Sequence, residues 1–120
     1  MVDILDREAV LAKRRRSYKI LELPSGGTAR LQSLTEKERS EYEICALDKQ
    51  GRPTKTGLAD ARRLLIAMMW VDADGNRLFD SDGDIEHIKE LPAADASAIF
   101  DACLDFSGFA DSDVEELAKN

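Results

Sequence analysis

Tyr18-Lys19-Ile20-Leu21-Glu22-Leu23-Pro24-Ser25-Gly26-Gly27-Thr28-Ala29-Arg30-Leu31-Gln32-Ser33-Leu34-Thr35-Glu36-Lys37-Glu38 is the stretch that decides the fold, because the apolar period changes within it. Leu21, Leu23, Ala29 and Leu31 alternate onto one face, with Lys19 at its end, while Glu22, Arg30 and Gln32 face away. Between the two runs Pro24 presets φ and Gly26 and Gly27 allow positive φ, which predicts a β-hairpin closed over residues 24–27. A lone hairpin is marginal in water, so its apolar face needs helices to pack on. Thr35-Glu36-Lys37-Glu38 is a capping box: Thr35 caps the N3 amide, Glu38 reaches back, and a helix runs on to about Asp48.

Upstream, residues 3–16 carry acid early and base late, which suits the helix dipole, but only Leu5, Ala9 and Ala12 form a stripe. A short helix outside the core is expected there. Downstream of the α-helix with Tyr42, Cys45 and Ala46 inward, Lys49-Gln50-Gly51-Arg52-Pro53-Thr54-Lys55 reads as a polar, mobile connection. A central helix then starts near Thr56 and presents Leu58, Ala61, Leu64, Leu65, Met68 and Met69. Over residues 66–71 every face is apolar, which marks a segment buried by its own chain or by a partner. Asp74-Gly75 predicts a turn, Ser81-Asp82-Gly83-Asp84 caps a short helix to about Leu91, and Pro92 suits the first turn of a further helix. That last helix carries Ala96, Ile99, Phe100, Cys103 and Leu104 on one stripe and ends near Ser107-Gly108. Ser112-Asp113-Val114-Glu115 is a final capping box for a short terminal helix.

The chain has 120 residues, 43% of them apolar, enough for one domain that needs neither disulfides nor a structural metal. Cys45 and Cys103 fit no ligand spacing and read as reduced residues of a cytosolic protein. No leader-like opening and no membrane-length apolar run is seen, so a soluble, non-exported chain is expected. Charge is uneven: residues 1–70 hold 14 basic and 10 acidic side chains, residues 71–120 hold 3 and 14. Such a polar molecule is suited to self-association or to a charged partner, or simply carries solubilising surface charge.

Chemistry-bearing constellations are weak. Asp72, Asp74, Asn76 and Asp80 match four ligand positions of an EF-hand loop, but Arg77 stands where its glycine belongs and Gly83 where its bidentate glutamate belongs. Turn and capping duty explains these acids better. Lys13-Arg14-Arg15-Arg16 makes a local positive potential that suits phosphate, without the aromatic or helix-turn-helix context of a nucleic-acid binder. His87 is the only histidine and has no nucleophile patterned around it, so no catalytic, cofactor or metal residue is assigned and catalysis is not expected. What remains is apolar helix surface. Ile66 and Trp70, sharing a helical face with Arg62 and Arg63, are the expected partner-binding residues, while Met68 and Met69 are read as core.

Taken in order, these segments resemble the tail assembly chaperones of long, non-contractile-tailed bacteriophages. The resemblance rests on Leu23-Pro24-Ser25-Gly26-Gly27-Thr28, on Leu31-Gln32-Ser33-Leu34-Thr35-Glu36-Lys37-Glu38-Arg39 leading into Tyr42-Glu43, and on the apolar helix of residues 61–70. Asp72-Ala73-Asp74-Gly75-Asn76-Arg77-Leu78-Phe79, Ile85-Glu86 and the closing helix with Leu104 and Gly108 complete it, over roughly residues 3–109. It implies a non-catalytic protein of the host cytoplasm, made during virion assembly and absent from the finished particle. Such a protein would bind the tape measure protein, keep it soluble and bring tail tube subunits to it; the uneven charge, apart from the resemblance, suits head-to-tail homo-oligomers coating that target. The family adds no catalytic or cofactor residue. A structural virion protein, such as a tail or head completion factor, is the alternative, followed by a nucleic-acid-associated regulator using the basic cluster at residues 13–16. The expected fold is one mostly helical α+β domain over residues 1–120, an N-terminal β-hairpin packed on about four helices, with residues 1–17 and 110–120 as loosely attached ends.

Overall fold

The structure, a computed structural model, describes residues 3–108. The expected terminal helix at Ser112-Asp113-Val114-Glu115 lies outside the described residues. The elements in order are α1 (Arg7–Leu11), β1 (Tyr18–Glu22), β2 (Thr28–Gln32), α2 (Glu36–Cys45), α3 (Lys55–Met69), β3 (Trp70–Val71), α4 (Asp82–Glu86), a 3-10 turn (His87–Glu90) and α5 (Ala93–Ser107). This is the expected α+β architecture of a hairpin on helices.

The hairpin closes as its residues dictate. Gly26 and Gly27 adopt φ of 103° and 87°, values open to glycine and closed to most side chains. Leu23 N–H donates to Gly27 C=O and Gly26 N–H to Leu23 C=O, both at 3.0 Å. The antiparallel register pairs Tyr18 with Gln32, Ile20 with Arg30 and Glu22 with Thr28, so the odd-numbered residues form the inner face. Leu31 and Ala29 are fully enclosed there, with Leu21 and Leu23 packed beside them.

A third strand was not anticipated. The central helix stops at Met69, and Trp70 and Val71 pair antiparallel with Leu31 and Arg30 of β2. The Trp70 N–H still closes the last helical turn on the Ile66 carbonyl, and beyond it the open edge of β2 gives the extended backbone its partners. The chain then folds back along β3, with Leu78 N–H donating to Trp70 C=O at 3.2 Å and Val71 bridged to Arg77.

The sheet's inner face rests on α3 and α5, and α2 packs on α3. Leu65, Met68, Met69, Ile99 and Cys103 are fully buried at the centre. The all-round apolarity of residues 66–71 is therefore answered inside the molecule: Ile66, Ala67, Met68, Met69 and Val71 all lie in the core. α3 and α2 approach so closely that a Cβ on Gly57 would stand 2.6 Å from the Ala46 carbonyl oxygen. α1 buries nothing and is held by its own N-cap, Asp6 accepting from Ala9 N–H at 2.9 Å. The connection expected to be mobile is braced by Asp48, whose carboxylate accepts from the N–H groups of Gln50 and Arg52, each at 2.9 Å. Among the described residues no helix is long and apolar enough to cross a membrane.

Candidate protein-interaction surface

Arg62, Arg63 and Ile66 come together. Successive turns of α3 carry them to its outer side, where the 3-10 turn and the start of α5 lie alongside, and all three line a shallow groove of about 240 Å³. Ile88, Leu91 and Ala96 line it as well. Ile66 is 1% exposed, so it acts as packed floor and offers almost no free surface. Arg62 is held in place: its guanidinium lies 4.5 Å from the Phe100 ring centroid and donates to Ser97 Oγ at 3.1 Å. Arg63 pairs with Asp60 one turn back at 3.4 Å. A surface of two oriented cations over an apolar floor suits a partial match to an acidic, apolar-patterned helix.

Trp70 does not share that groove. Trp70 is the C-cap of α3 and its N–H still donates to the Ile66 carbonyl, but it stands at the end of the helix, past the stretch that lines the groove. Its indole is half-buried and meets Phe79 edge-on, with centroids 5.7 Å apart. Met68 and Met69 are core, as read.

The basic run is divided by the fold. Arg16 turns inward and donates to Glu38 with both terminal nitrogens and to the Ser33 carbonyl at 2.7 Å, leaving Lys13, Arg14 and Arg15 exposed. Glu38 is the centre of a cluster that sequence reasoning did not reach. It is 5% exposed, and it accepts from Arg16, from Arg77 and from the Thr35 N–H at 2.9 Å. Burial pushes its carboxyl pKa up, but the Arg16, Thr35 and Arg77 hydrogen bonds outweigh that and hold it at about 2. The capping box predicted the Thr35 contact; the two arginines, 22 and 39 residues away, left no local signal. Asp95 is a second such tether. Buried in the first turn of α5, it accepts from both the N–H and the hydroxyl of Ser25, clamping the hairpin turn to the helix.

In the acidic stretch, Asp72 accepts from the N–H groups of Asp74 and Asn76 at 2.8 and 3.0 Å, a turn role that uses the carboxylate on its own backbone. Among the described residues no group of three or more His, Cys, Asp or Glu side chains could hold a metal ion. Burial raises the Cys103 thiol to about 12. Burial, then the nearby Asp60 charge, raises Cys45. Neither is a poised nucleophile. His87 lies exposed on the 3-10 turn.

No family model and no curated protein matches the chain. The fold itself is similar to that of a phage assembly protein. The solved structure concerned is that of the bacteriophage HK97 tail assembly chaperone, which matches with a TM-score of 0.58 at 16% sequence identity. The match covers 76% of this chain and 85% of that one.

Proposed function

We propose that this chain is a non-catalytic tail assembly chaperone of a long-tailed phage, acting in the host cytoplasm on the tape measure protein and absent from the finished virion. The observation that supports the reading is the likeness of the fold, over 76% of this chain, to a tail assembly chaperone. A tape measure protein is a long helix with an apolar pattern that waits for its tube, and a small charged domain that engages it reversibly keeps it in solution. In this proposal Arg62 and Arg63 hold the target helix along the groove floored by Ile66, Trp70 adds apolar contact beyond β3, and tail tube subunits are recruited to the coated complex. The uneven charge of the two parts of the chain further supports head-to-tail homo-oligomers along the target.

The test is co-expression with the tape measure protein encoded in the same genome, scoring its soluble fraction and co-purification. Arg62→Glu with Arg63→Glu should abolish co-purification while circular dichroism stays unchanged. A tape measure protein that precipitates regardless, or a complex indifferent to both charge reversals, overturns the partner or the site respectively. Mass spectrometry of purified virions separates this role from that of a structural virion protein, which would remain in the particle.

A further inference from the structure

The sheet has two edges, and the fold treats them differently. The β3 edge is covered by the returning chain at Arg77 and Leu78. The other edge is β1, which pairs with β2 and, among the described residues, with nothing else. Ser33 N–H donates to Ser17 C=O at 2.8 Å and Leu23 N–H to Gly27 C=O, so the odd-numbered residues of β1 turn their backbone groups toward β2. Tyr18, Ile20 and Glu22 must then turn theirs outward. Natural edge strands are blunted by bulges, prolines or inward-pointing charges; β1 has a regular register, its one inner-face charge, Lys19, is paired with Asp105 at 3.7 Å, and at its middle Ile20 has 61% of its surface exposed. Tyr18 beside it is 43% exposed.

We infer that β1 is a self-pairing edge, joining antiparallel to β1 of a second copy about a two-fold axis at Ile20. Centred there, Ile20 opposes Ile20 of the second copy and Tyr18 opposes its Glu22. All three outward-turned residues meet outward-turned residues, giving about six backbone hydrogen bonds. The neighbouring registers are worse. Centring on Lys19 sets two lysines opposite each other, and centring on Leu21 sets Tyr18 against Pro24, which has no N–H to donate. In the Ile20 register, Glu22 of one copy instead comes beside the stack in which the Arg30 guanidinium lies 3.8 Å from the Tyr18 ring centroid of the other. The self-complementary register, with unlike charges brought together and like charges kept apart, selects a second copy over an unrelated strand. The product is one continuous sheet across two domains, and it does not depend on the tail-assembly role.

Sedimentation velocity on the full chain over a concentration series tests this. The wild-type chain should dimerise, and the dimer should persist in about 0.5 M salt, where association driven by charge asymmetry is screened. Ile20→Lys and Ile20→Glu each place like charges at the axis and should weaken dimerisation about tenfold or more. Mixing the two variants should restore a dimer, because the axis then joins Lys to Glu. Since Ile20 is exposed, both variants should keep the wild-type circular dichroism spectrum and, at concentrations where the wild type is monomeric, its melting temperature. A chain that stays monomeric throughout, a dimer unaffected by either variant, or a mixture that fails to recover each overturns the pairing. So does a monomeric wild type whose capture of the tape measure protein is lost in Ile20→Lys, which would give the edge to a foreign strand.

Discussion

Replacing Glu38 by Gln keeps the shape of the side chain and an acceptor for the Thr35 N–H, but removes the charge that faces Arg16 and Arg77. The structure sets the size of the effect. A carboxyl held at about 2 against an ordinary 4.5 corresponds to on the order of 3 kcal/mol of folding free energy. Both arginines keep 30% of their side-chain surface in water, so the unpaired cations are partly solvated and the loss falls short of the full cost of stranding a buried charge. We expect Glu38→Gln to lose about 2–3 kcal/mol at pH 7, or about 8–12 °C in Tm. The sign of the pH dependence is fixed by the lowered value. The contribution is complete above about 4.5 and disappears as pH falls toward about 2, so the unfolding free energies of wild type and variant should converge through that window, by about 1.4 kcal/mol per pH unit. Urea unfolding at a series of pH values from 7 down to about 3 measures this directly. A difference below about 0.5 kcal/mol at pH 7, or one that stays constant as pH falls, would refute the cluster's electrostatic role.

Three further outcomes follow from single contacts. Gly57→Ala should destabilise by about 2 kcal/mol or more in chemical denaturation, against alanine's better helix propensity, because the new Cβ meets the backbone carbonyl of Ala46 and not a flexible side chain. Gln32→Leu should cost about 1–3 kcal/mol in the same assay, since Gln32 Nε2 donates to the Met68 carbonyl at 2.8 Å near the end of α3 and leucine leaves that buried acceptor unpaired. A thiol reagent at neutral pH should modify Cys45 slowly and leave Cys103 untouched until the chain unfolds; equal rates in the native state, read by intact mass, would contradict the buried placement of Cys103.

Local signals carried much of this architecture. Pro24, Gly26 and Gly27 specified the hairpin turn, the Thr35 and Glu38 capping box started α2, and Gly108 in the left-handed conformation ends α5 where the apolar stripe runs out. Each acts within about four residues through backbone geometry, so the chain's own order is enough to read it. The tertiary structure alone decided three other matters. Trp70 and Val71 leave the helix because β2 presents an open edge, a partner 39 to 41 residues earlier in the chain. Ile66 and the methionines are core because α2, α5 and the sheet close around α3; an apolar helix has the same pattern whether its cover is its own domain or another protein. Glu38 becomes the meeting point of Arg16 and Arg77 because folding brings three distant segments together, and the Coulombic attraction that joins them depends on distance in space, which residue order does not encode.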